Sequence, residues 1–189
     1  VRAWHAALAA LSALAIGCGG PRMIPLMEAA GIPVTLTPPS SIPLEVITRA
    51  TAIREPVPVE GTGVSYGDVE TTLGHAVSSA AVPWAEARRA RRPEGYQLTV
   101  ELIQADASYT GGRLIVTMST RATLRTREGR AYLAQTQASC RQAGMVPAEG
   151  GAPVIFACME RIGRDLAGWL AQVEPLGDAA TKPQAPPEP

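Results

Sequence analysis

Cys18, Cys140, Cys158 and His75 are the side chains whose chemistry could matter most in this chain, and their spacing limits what they can do. A catalytic thiol needs an activating base within hydrogen-bond reach, and after residue 18 only His75 could serve. Zinc needs about four clustered Cys, His or carboxylate ligands, and no such cluster occurs, so neither a metal nor another cofactor is expected. Glu160 stands four residues before Arg164 and Asp165 four after Arg161, which suits solvated helical ion pairs better than a buried acid/base couple. Lacking a nucleophile constellation, the chain reads as non-catalytic.

The cysteines differ in their surroundings. Arg2 and His5 precede an uncharged apolar run from Ala6 to Ile16, too short to cross a bilayer but suited to the hydrophobic region of a signal peptide. The run closes in Leu14-Ala15-Ile16-Gly17-Cys18, with small Gly17 next to a thiol. This resembles the lipobox of bacterial lipoproteins, with Ala15 where Leu is commoner. The resemblance implies cleavage before Cys18, lipidation of that cysteine and anchoring to a membrane on its extracytoplasmic side. Each buried CH₂ contributes about 0.8 kcal/mol, so three acyl chains would hold the protein durably. In that family, Asp after the cysteine retains a lipoprotein in the inner membrane. Gly19 stands there instead, implying the outer membrane, facing the periplasm.

With Cys18 acylated, Cys140 and Cys158 remain as an even pair in a compartment that permits oxidation. A disulfide is the economical reading, closing a loop of about 18 residues and contributing roughly 3 kcal/mol. The alternative is two buried thiols that act as small apolar groups.

The formal net charge is zero, from 17 Lys+Arg and 17 Asp+Glu, which excludes the basic excess that nucleic-acid binding requires. The basic run Arg88, Arg89, Arg91, Arg92 could meet anionic lipid headgroups or simply be a solvated helix end.

These residues need a scaffold. Residues 1–17 read as the signal peptide, 18–41 as a lipidated Pro/Gly-rich tether, 42–175 as one α+β domain, and 176–189 as a disordered Pro-rich tail. Within the domain, apolar residues from Ile42 to Val59 suggest a first strand bounded by prolines. Ser65 or Asp68 can cap a helix whose stripe is Val69, Leu73, Ala76, Val77, Ala80 and Trp84, with Pro83 kinking or ending it. Tyr96, Leu98, Val100 and Leu102 alternate with polar residues as a strand. Thr110-Gly111-Gly112 turns into a second, carrying Leu114, Val116, Met118, Ala122 and Leu124. A third runs from Tyr132 to Cys140, with a small face of Ala134, Thr136, Ala138 and Cys140. Phe156, Met159, Ile162, Leu166, Trp169, Leu170 and Val173 form a second helical stripe before Pro175. Two helices with single stripes need one apolar sheet face, which predicts a two-layer sandwich with a mainly antiparallel sheet of about four strands.

This layout, with Gly112 to Tyr132 and the turn Leu124-Arg125-Thr126-Arg127-Glu128-Gly129, resembles auxiliary lipoproteins of ABC-type envelope lipid transport and the related lipoprotein of lipopolysaccharide export. Thr126 and Arg127 depart from the acidic position of that family's turn. The resemblance implies an envelope protein partner, and a small lipid ligand is the alternative role.

Overall fold

The computed structural model describes residues 22–31, 43–91, 93–128 and 131–173. The signal peptide, Cys18, Arg92 and the C-terminal tail lie outside the described residues. The elements are β1 (Arg22–Pro25), α1 (Leu26–Ala29), β2 (Leu44–Arg49), β3 (Val57–Glu60), β4 (Val64–Gly67), α2 (Val69–Glu86), β5 (Tyr96–Thr110), β6 (Arg113–Thr126), β7 (Tyr132–Gly144) and α3 (Ala152–Val173). A 3-10 turn, Ala148–Gly150, precedes α3.

The mixed α+β class holds, but the sheet has seven strands where about four were expected. The strands run in the order β1-β4-β3-β5-β6-β7, and β2 pairs β5 beside this path. The single strand expected from Ile42 to Val59 is two, β2 and β3, and two strands lie outside every expected one, β1 and β4, with only four residues each, too few for a two-residue period to stand out. β1, in the stretch read as a tether, pairs parallel to β4 from Arg22↔Val64 to Pro25↔Gly67. The chain then drives Leu26 of α1 into the core, where it is fully buried.

β5, β6 and β7 form the antiparallel meander, in which strict alternation places one apolar row inward. Leu98 faces Leu124 and Val100 faces Ala122 across the first pair, and Met118 faces Cys140 across the second. Gly111 and Gly112 both have positive φ (59° and 77°), the backbone that a two-residue hairpin turn demands. A register shift between Leu102 and Gln104 divides β5. Its first half takes β2 as a parallel neighbour, and its second half takes β3 at Val59↔Ala107.

Helix α2 starts at Val69, but Ser65 is not its cap: it lies inside β4, opposite Met23 and Pro58. Asp68 occupies the cap position in the left-handed region (φ 58°) and makes no side-chain cap bond. Glu55 serves instead, its carboxylate accepting the Glu70 N–H at 2.7 Å. Pro83 does not end α2, which continues to Glu86 and buries Trp84 and Ala85. Proline removes the bond to the carbonyl four residues back and its ring crowds that carbonyl, and the burial of Trp84 and Ala85 offsets this cost.

Helix α3 buries Met159, Ile162, Leu166 and Leu170 as one stripe, with Phe156, Trp169 and Val173 partly buried at its margins. The two long helices touch each other and cover one sheet face, giving two layers around a single core.

Candidate functional site

Cys140 projects inward from β7 and Cys158 from the second turn of α3; the two are bonded, with 5.6 Å between their Cα atoms. Both are buried. The small inner face of β7 lets the helix approach this closely. At Gly144 on the same strand, an added Cβ would come within 2.5 Å of Val154 Cγ2. With both sulfurs in the bond, neither thiol is available for His75 to activate.

His75 lies instead in a groove between α2 and α3, a cavity of about 300 Å³. Ala76, Ala80 and Phe156 supply its apolar lining, and His75, Ser79, Glu160 and Arg164 its polar groups. The ion pairs expected along α3 do not form: among the described residues, none joins Glu160 or Asp165 to Arg161 or Arg164. Spacing permits such pairs without requiring them, because exposed side chains lose rotamer entropy on pairing.

The basic run is also not a simple solvated helix end. Arg88 is buried, lies 4.5 Å above the Trp84 ring and donates from Nη1 to the Trp84 carbonyl at 2.9 Å. The desolvated guanidinium gains cation–π attraction there and is withdrawn from any headgroup. Trp84 in turn packs against Tyr96 with ring centroids 4.7 Å apart, joining the end of α2 to the start of β5. Arg89 pairs with Glu86 at 3.0 Å on the surface.

Tyr66, which sequence reasoning did not single out, ties β4 to the entry of α3. Its hydroxyl donates to the Ala148 carbonyl at 2.6 Å and accepts the Gly151 N–H at 2.8 Å. Burial pushes the phenol above its ordinary pKa, the Gly151 N–H partly opposes this, and the Glu149 charge adds to it. A buried tyrosine in a four-residue strand leaves no periodic signal that could have revealed it.

The opposite sheet face carries polar groups. Gln97 donates to the Glu45 carboxylate at 3.0 Å, and Arg127 and Arg121 approach Glu45 and Glu101, each at 3.7 Å. Among the described residues, no group of three or more His, Cys, Asp or Glu side chains could hold a metal ion. No helix among them is long and apolar enough to cross a membrane.

The architecture defined here is a two-layer α+β domain with a disulfide between its last strand and last helix. No family model and no curated protein matches the chain. Solved structures do match. A Xanthomonas campestris protein, described as belonging to the DUF330 family, is 15% identical with a TM-score of 0.50, covering 75% of this chain and 93% of that one. A putative lipoprotein from Caulobacter crescentus is 16% identical with a TM-score of 0.42, covering 72% of this chain and 96% of that one. The first likeness shows that the chain shares the fold of the Xanthomonas protein.

Proposed function

We propose that this chain is a lipid-anchored, extracytoplasmic lipoprotein of the bacterial envelope that acts as a non-catalytic scaffold or accessory subunit of an envelope assembly serving lipid or lipopolysaccharide transport. The observation that carries the reading is the apolar run from Ala6 to Ile16 closing on Gly17-Cys18. The Cys140–Cys158 bond supports it, since disulfides persist in oxidising compartments outside the cytoplasm. Outer-membrane residence rests on Gly19 after the cysteine.

A second reading, a module that binds a small lipid, is favoured by the groove between α2 and α3. Its apolar lining could take part of an acyl chain, while Arg164 and Glu160 meet a polar head.

Tagged full-length protein, purified from membranes in mild detergent and analysed by mass spectrometry, tests both. The scaffold reading requires an acylated Cys18 peptide and a co-purifying permease, substrate-binding protein or outer-membrane barrel. An unmodified Cys18 would remove the anchor. Acylated protein with no transport component but with stoichiometric lipid would transfer the assignment to the second reading.

A further inference from the structure

Strand β7 has a strand partner, β6, on one side only among the described residues. At 13 residues it presents an open edge about 43 Å long. Proteins that stay monomeric protect such edges with proline, lysine, inward charges or interior bulges. From Tyr132 to Gly144 there is no proline or lysine, Arg141 is the only charge, and the register shift in β6–β7 pairing falls at the extreme start, beside Tyr132.

We propose that this edge pairs with the β7 edge of a second copy, antiparallel about a two-fold axis at Ala138, to make one continuous sheet. The strand's own pattern favours itself as occupant. Ala138 is the midpoint of β7, so this register pairs the regular stretch from Ala134 to Gln142, past the irregularity at the start of the strand. Residue numbers in each facing pair then sum to 276, twice 138, so even residues meet even ones and odd meet odd, preserving the two faces of the sheet.

On the polar face Gln137 meets Ser139 of the second copy, and Arg141 meets Gln135. On the inner face Thr136 meets Cys140 and Ala138 meets itself, all small side chains. The neighbouring strand adds no conflict. Thr117 flanks Arg141 and Thr123 flanks Gln135, while Arg121 flanks Gln137, which faces a serine, so no two arginines are set opposite each other. The closed two-fold arrangement would also leave no long β7 edge open to further copies.

This register makes opposite predictions for one exposed position. The full chain, coexpressed with two different tags and extracted in mild detergent, is scored by co-isolation of one tag with the other. Gln135→Lys faces Arg141 twice across the axis and should lower co-isolation by about three- to tenfold, whereas Gln135→Glu should raise it by a comparable factor. Adding Arg141→Glu to Gln135→Lys should restore it. One copy carrying Gln135→Cys should form a disulfide-linked dimer with a copy carrying Arg141→Cys, and none when both copies carry Gln135→Cys. Absence of co-isolation for the unaltered chain, equal effects of Gln135→Lys and Gln135→Glu, or cross-linking without this pairing would overturn the proposal. Unchanged thermal melting of the charge variants would show that any loss comes from the interface and not from the fold.

Discussion

Gly163 of α3 faces Ala76 of α2 so closely that an added Cβ would lie 2.8 Å from the Ala76 carbonyl oxygen. The obstacle is backbone, which cannot swing aside as a long side chain could. Gly163→Ala should therefore force the helices apart and destabilise the domain by about 1–3 kcal/mol, despite the better helix propensity of alanine. Gly168 on the same helix has open space around its Cβ position, and Gly168→Ala should stabilise by up to about 1 kcal/mol. Urea denaturation of both variants checks the pair, and a stabilising Gly163→Ala would show that the helix contact is looser than this geometry.

The disulfide carries the second prediction. Cys140 and Cys158 are 18 residues apart, and closing that loop restricts the unfolded chain. The Cys140→Ala/Cys158→Ala variant should lose roughly 3 kcal/mol and show no further response to reductant. The unaltered protein should lose a similar amount when reduced. Because both positions are buried on facing elements, a loss much above this would point to cavity formation, and melts with and without reductant separate the two contributions.

The long elements were legible in the sequence, for an identifiable reason. β5 and β6 alternate over many residues, and α3 repeats its apolar positions over six turns, so each pattern outlasts local noise. β1 and β4 pair for only four residues, and their order comes from each other and from the core beneath them. Leu26 stands among Met23, Ile24 and Met27 in a short stretch broken by Pro25 and Gly31, with too little pattern to show which of them is buried, yet tertiary contact buries it fully while Met23 stays exposed. Arg88 reads as one of a basic run, and only the packing of Trp84 and Tyr96 shows that it is sequestered. The cysteine pair was legible because oxidation chemistry and parity act without periodicity. The α2–α3 groove was not, because it depends on where two distant helices meet.

Tyr66 gives a prediction with a pH signature. Tyr66→Phe leaves the Ala148 carbonyl and the Gly151 N–H without their buried partner and should cost about 1–3 kcal/mol. Burial raises the folded-state pKa of the phenol above its ordinary value of 10.0. Between those two values the unfolded state releases its proton first, so the unfolded state binds fewer protons and stability falls as pH rises. The Tyr66 contribution should be complete below pH 10 and be lost as pH climbs through the raised folded value. The phenylalanine variant should lack that part of the alkaline slope, and an identical slope in both proteins would assign it to other groups.

The start of α2 supplies a prediction in which the obvious cap is not the working one. Asp68 holds the cap position by sequence, but its side chain makes no cap bond and its backbone sits at φ 58°, where glycine is at ease. Glu55, from the loop before β3, accepts the Glu70 N–H, while the Glu70 carboxylate accepts the Ala50 N–H at 2.9 Å. This reciprocal pair fixes the loop to the helix. Glu55→Ala should therefore destabilise by about 1 kcal/mol, in the range of a lost N-cap, whereas Asp68→Gly should be neutral or slightly stabilising. Thermal melts of the two variants and of the unaltered protein decide between them. If Asp68→Gly cost more than Glu55→Ala, the aspartate would be the cap in solution and the Glu55 bond would be incidental.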